Sequence, residues 1–351
     1  MIRFTSLQFR IQVAIAVGVL VLVAIVVAIT GPNLVHFYDT TVANCKSHGD
    51  CSYASKALTQ SDSFLQSAFG ELLLVLPALV GIFWGAPLIA REFEAGTFRL
   101  VWTQSVTRRR WLAVKLGIIG LTSMAVAGLV TLMVSWWFSP IDKVTKVQFA
   151  SFDERGIVAI GYAVFAFDFG VAAGLLIRRT VPAMFATLVA FVGARLAVTY
   201  WVRPHLLAPV KTAMPLHIVF GTSIEQTSST GLLFFQPVNI PNAWIYSNEV
   251  VNNSGHAPTV QFLQSACHSV LSVPANGAVQ GVPTPNQNAH TAFAECFTNV
   301  AAKFHQVVIY QPASRYWAFQ WYETAIFFGL AVIVTGFSFW WVRRRPAQYG
   351  Q

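Results

Sequence analysis

Few residues in this 351-residue chain are of the kinds that do chemistry, and their spacing excludes the common reactions. No lysine follows a glycine, so a GxxxxGK[ST] phosphate loop cannot exist and ATP cannot be hydrolysed by that route. No histidine precedes a glutamate, which removes the HExxH zinc-protease pattern, and no GxSxG nucleophile elbow is present. The eight histidines are scattered, as solvated loop residues are, and are not spaced as metal ligands. Two charges, Asp168 and Arg195, interrupt otherwise apolar stretches. At a bilayer centre each would cost about 2.5–3.5 kcal/mol. They lie on consecutive antiparallel helices, so an ion pair is expected, either lining a substrate path or locking two helices together. Glu71 and Glu323 fall near stretch ends, where an acid reaches water. The densest polar segment runs from Arg91 to Trp111 and holds Glu92, Glu94, Gly96, Thr97, Phe98, Arg99, Val101, Trp102, Thr107 and Arg108. Phe98, Val101 and Trp102 repeat at helical spacing, Gly96 interrupts that helix near its start, and Thr107 can cap the helix that follows.

The elements that position these residues follow from composition. Of all residues 55% are apolar and only 11% charged, far below the roughly 25% of a soluble domain. Six apolar stretches are long enough to cross a bilayer core of about 30 Å: Ile11–Thr30, Gln66–Ala90, Trp111–Phe138, Gly156–Ile177, Val181–Val202 and Trp317–Val342. Gly31-Pro32-Asn33 predicts the end of the first, and Pro77 and Pro87 predict kinks in the second. Phe4, Leu7 and Ile11, with Arg3 and Arg10 on other faces, predict an amphipathic interfacial helix over residues 1–10. Residues 203–316 are polar and long enough for a small domain, and residues 317–351 complete the last span and a basic tail. The expected fold class is an all-α polytopic membrane protein of six transmembrane helices with a disulfide-containing extracytoplasmic domain.

Charge gives orientation. The termini, 91–110, 178–180 and Lys115 together carry thirteen basic residues and two acids, a balance of +11 within a net charge of +9. By the positive-inside rule that side is cytoplasmic. The basic excess is therefore a topology record and calls for no nucleic-acid partner. All four cysteines fall on the other side, an even number in a disulfide-permissive compartment. Cys45–Cys51 and Cys267–Cys296 are favoured because each pair lies within one loop. Leu263, Cys267, Val270 and Leu271 form one helical apolar stripe, and Phe293, Cys296, Phe297, Val300 and Phe304 a second, so a bridge could staple two packed helices.

Glu94-x-Gly96-Thr97, an apolar stretch, Ser105-Val106-Thr107-Arg108 and Lys115 resemble the cytoplasmic loop of bacterial type 2 ATP-binding-cassette exporter permeases. The typical pattern often has Pro where this chain has Ser105 or Val106. The resemblance implies a permease subunit moving an amphipathic or lipid-like molecule out of the cell across the bacterial plasma membrane. It implies two copies of an ATPase subunit, which would hold the ATP and magnesium, and a second permease chain, a homodimer being the simplest case. The 91–110 loop would be the coupling loop, with Phe98, Val101 and Trp102 as apolar docking contacts and Glu92, Glu94 and Arg99 as polar ones. Membrane lipid is the remaining partner. A second reading is a membrane-anchored sensor or assembly factor acting through 203–316.

Overall fold

The computed structural model describes residues 2–45, 51–96, 107–145, 148–216, 223–227, 231–235, 240–266, 271–272, 280–281, 295–296 and 298–344. Among these, six helices are long and apolar enough to cross a membrane: span 1 (Arg10–Ala43), span 2 (Ser63–Glu94), span 3 (Arg108–Thr145), span 4 (Val158–Ile177), span 5 (Thr180–Leu206) and span 6 (Ala313–Arg344). The six predicted stretches each lie on one of these helices, and the chain is mostly helical. The starts of spans 1, 3 and 5 and the ends of spans 2, 4 and 6 share one end of the bundle. That end is called basic below, after Arg91, Arg178, Arg179, Arg343 and their neighbours.

Span 1 does not stop at Gly31-Pro32-Asn33. Its α-helix runs from Ile2 through Pro32 to Phe37, and a π-helical turn carries it to Ala43. In lipid an open helix end has no water to satisfy it, so neighbours must meet the groups a proline frees. Here span 3 packs on the region: Trp137 Nε1 donates to Thr30 Oγ1 at 2.8 Å, and the Trp136 ring lies against Gly31. The α-helix begins at Ile2, so residues 2–10 continue span 1 as helix. Beyond span 1, Cys45 and Cys51 form the disulfide favoured from sequence, and the short helix Ser52–Gln60 follows.

Span 4 packs against spans 2, 3, 5 and 6. It can do so because its surface is small: Gly161, Ala163, Ala166, Gly170, Ala173 and Gly174 are all buried. Small residues let helix backbones approach, the usual source of helix association in lipid. The seam with span 2 is tightest. A Cβ on Gly81 would lie 2.7 Å from the Ala166 carbonyl oxygen, and one on Gly174 2.6 Å from that of Ala86. Span 2 carries a π-helical segment, Gly81–Gly85, between Pro77 and Pro87. Its irregularity thus falls between the two prolines.

Residues 208–315 form a separate compact unit, inserted in the chain between spans 5 and 6. It is built on a three-stranded antiparallel sheet in the order β1 (Val210–Pro215), β7 (Phe304–Gln311), β4 (Trp244–Asn252). β2 (Ser223–Thr227) and β3 (Gly231–Phe235) form a hairpin, and β5 (Leu271–Ser272) and β6 (Gln280–Gly281) a short ladder. The central strand, FHQVVIYQ, is rich in β-branched and aromatic residues and largely buried, which is why it is a strand. Phe304 and Leu271, read above as ends of helical stripes, therefore lie in strands. Cys296 is buried and disulfide-bonded, while Cys267 lies outside the described residues.

Candidate functional site

At the basic end, span 2 finishes on a glycine cap. The Ala95 N–H donates to the Arg91 carbonyl at 2.9 Å, and Gly96 takes the left-handed conformation at φ +68°. A left-handed residue in this place closes a helix, so Gly96 ends span 2 where the sequence suggested a bend inside the next helix. Gly96→Ala is expected to cost about 1–2 kcal/mol, read as a lowered unfolding temperature of the purified chain, with Gly96→Asn costing less. Span 3 then begins with Thr107, whose Oγ1 accepts from the Arg110 N–H at 3.4 Å. That is the cap expected for it. Thr97, Phe98, Arg99, Val101 and Trp102 lie outside the described residues.

The acids of this segment point back into the bundle. Glu92 was expected as a polar docking contact on the loop surface, but it is buried and paired with Lys115 of span 3. Lys115 Nζ also lies 3.5 Å from the Leu88 carbonyl oxygen and 4.7 Å over the Trp111 ring. A lone buried ammonium would be very costly, and Glu92, one turn beyond Leu88 on the inward face of span 2, meets it. Glu94 is exposed, yet its carboxylate accepts from the Thr180 N–H at 2.8 Å and from Thr180 Oγ1 at 2.6 Å. It thereby caps span 5 from outside that helix, satisfying one of the first-turn N–H groups left without an intrahelical partner. Beside it the Phe93 ring faces the Arg178 guanidinium at 5.5 Å, and Arg178 is itself left-handed at φ +59°.

At the opposite end lies a buried polar cluster. Arg203 was assigned to a loop but occupies the last turn of span 5, and it grips Glu323 of span 6 with Nε–Oε2 at 2.8 Å and Nη2–Oε1 at 2.9 Å. This two-pronged geometry is the strong form of a carboxylate–guanidinium pair. Arg203 also pairs with Asp153 of the connection between spans 3 and 4. The Tyr162 hydroxyl sits 2.5 Å from Glu323 Oε1 and 3.0 Å from Asp153 Oδ1. Arg195 completes the set, with Nη2 3.5 Å from Asp153 and its guanidinium 4.4 Å over the Tyr162 ring. Burial alone would raise the Asp153 carboxyl, but hydrogen bonds and charge from Arg203, with the charge of Arg195, outweigh it and hold the group below its ordinary value. Neighbouring Glu154 is pushed up, chiefly by burial. Gln320 of span 6 adds bonds to the backbone of Phe152, Arg155 and Val158.

Two expectations are corrected by this cluster. Arg195 does not pair with Asp168. The two lie about 7 Å apart along the bundle by their rise per residue, and the flexible arginine stem reaches toward the water-facing end, as long basic side chains do. Asp168 instead lies beside Thr335 of span 6. Glu323 is not a solvated rim residue but fully buried, because Arg203 meets it. Glu71, by contrast, is exposed. Asp153, Tyr162 and Arg203 escaped sequence reasoning. Their signal was depth: Asp153 just before span 4, Arg203 at the end of span 5 and Glu323 at the start of span 6 must share one level.

Between spans 1 and 2 runs an apolar groove of about 460 Å³, walled by Ile15, Val19, Leu79 and Phe83, with Gln12 and Arg91 among its lining. Gln12 Nε2 donates to the Phe83 carbonyl of the π-helical segment at 3.1 Å. Among the described residues no group of three or more His, Cys, Asp or Glu side chains converges as a metal site.

Six apolar helices interlocked by buried ion pairs define a polytopic helix-bundle membrane protein. Residues 17–203, just over half of the chain, match the family model described as ABC-2 membrane transporter related, and the chain belongs to that family. It is a permease-type membrane transport component. No curated protein and no solved structure matches it.

Proposed function

We propose that this chain is the membrane-spanning subunit of an ATP-driven exporter, with its basic end in the cytoplasm of a bacterial cell and the 208–315 unit outside. The observation that carries this reading is the family match, which takes in spans 1 to 5 and the 91–110 segment. Permeases of this family typically work with an ATP-binding-cassette ATPase. The sequence has no phosphate loop of its own, so ATP and magnesium belong to that partner. Two ATPase subunits dock on the 91–110 loops of two permease chains, the simplest pair being two copies of this one. Phe98, Val101 and Trp102 supply apolar contacts and Arg99, Thr107 and Arg108 flank them. The cargo is amphipathic: the groove between spans 1 and 2 offers an apolar wall with Gln12 and Arg91 to meet a polar head. ATP binding and hydrolysis shift the helices between two states, each favoured by one nucleotide condition.

The test is capture. The tagged chain, extracted in mild detergent from its own membrane, is expected to retain an ATP-binding-cassette ATPase in equal amount, and Trp102→Ala is expected to release most of it. Full retention by a doubly altered chain, Gly96→Pro with Trp102→Ala, would show that the loop is not the docking element.

A further inference from the structure

The two acids at the end of span 2 are the only acids of the basic end, and each is spent on a different helix. Glu92 is tied to Lys115 near the start of span 3. Glu94 is tied to the first residue of span 5 by two short hydrogen bonds. Glu92 is buried, whereas Glu94 is exposed and reaches across the turn that joins spans 4 and 5. Phe93, between them, stacks on Arg178 of that turn. Three consecutive side chains therefore fasten the exit of span 2 to spans 3 and 5 and to the 178–180 turn. Immediately afterwards Gly96 ends the helix, so the chain beyond it starts from a fixed point.

We infer that Glu92, Phe93 and Glu94 form a mechanical joint that delivers displacement of the 97–106 segment to spans 3 and 5. Glu94 is a positioning residue in this scheme: it touches neither nucleotide nor cargo and acts through Thr180. The inference rests on the reading of that segment as the contact with the ATPase. The asymmetry between the two ties has a mechanical meaning. The buried Glu92–Lys115 pair cannot open without exposing two charges to an apolar interior, so spans 2 and 3 move as one. The Glu94–Thr180 tie is open to water, so it can break and re-form, and span 5 is the element whose engagement is switched. A cap on the first turn also decides whether that turn is fully helical, because its N–H groups have few other partners.

The full chain with its copurified ATPase, in lipid nanodiscs, would carry spin labels at Val189 of span 5 and Ile333 of span 6, both exposed on the bundle. The interlabel distance is read without nucleotide and with ATP plus vanadate. In the native chain the distance is expected to shift. Glu94→Ala is expected to lose the shift while keeping the bound ATPase, with only the small drop in unfolding temperature of one lost helix cap, and Thr180→Ser, which keeps both hydrogen-bonding groups, is expected to retain it. Labels at Leu121 of span 3 should still move in Glu94→Ala, since that span is held by Glu92. A Glu94→Ala chain that shifts like the native one overturns the joint and leaves the permease reading standing. Loss of the shift only together with the ATPase also overturns it, because Glu94 would then be a docking residue. A native chain with no ATPase, or no shift, overturns the permease reading itself and the joint with it.

Discussion

Arg203→Met is expected to cost about 3–5 kcal/mol of stability, the range for removing one partner of a buried ion pair. The substitution leaves Glu323, which is fully buried, with no cation, and leaves Asp153 only the more distant Arg195. The expected observation is a large drop in the unfolding temperature of the detergent-solubilised chain, or loss of the folded peak in size exclusion. The double change Arg203→Met with Glu323→Met is expected to recover at least half of the loss. It removes both members of the two-pronged pair and leaves Asp153 and Arg195 as a neutral couple. The double-mutant cycle isolates the pair from general damage. A single variant no less stable than Glu71→Gln, which changes an exposed acid, would show that the cluster does not hold spans 4, 5 and 6 together.

The second large effect concerns bulk, not charge. Gly85→Ala is expected to disrupt the seam between spans 2 and 4, because its new methyl group would run into the Phe167 carbonyl oxygen. Gly174→Ala would place a methyl group 2.6 Å from the Ala86 carbonyl oxygen. Neither neighbour is a flexible side-chain tip that can turn away; both are backbone within helices. Overpacking a closely fitted core typically costs about 1–3 kcal/mol, and here two whole helices must separate to relieve it. Gly117→Ala and Gly193→Ala are the controls, since nothing lies within 4 Å of a Cβ at either site. Both controls are expected to be neutral or slightly stabilising, as an alanine favours a helix over a glycine. Equal unfolding temperatures across all four variants would show that the seam tolerates separation.

The six spans were legible because a 20-residue apolar run has one explanation, and neither burial nor partner needs to be known to see it. Their ends were less so. Pro32 reads as a stop in water, yet in the bundle Trp136 and Trp137 close over the site and the helix continues. The 208–315 sheet was invisible for another reason. Cysteines at 267 and 296 with apolar residues at intervals of three and four suggest helices, whereas the identity of β7 rests on pairing with strands about 60 and 95 residues earlier, a long-range fact that no local period carries. Within the site, the types of residue were found more easily than their partners. Asp168 and Arg195 stood out as mid-span charges, but pairing depends on depth and on the direction of the side chain. Glu92 and Glu94 were recognised as out of pattern, and their inward ties to Lys115 and Thr180 needed three dimensions.

The ion clusters of the bundle carry an electrical consequence. Glu92 and Lys115 sum to zero, and so do Asp153 and Glu323 with Arg195 and Arg203. Moving one elementary charge through a membrane voltage of 100 mV takes about 2.3 kcal/mol, so displaced unpaired groups would make the conformational cycle run faster or slower with voltage. Groups that travel as neutral sets do no work against the field. The helices that carry these sets can therefore change position without these six groups doing work against the field.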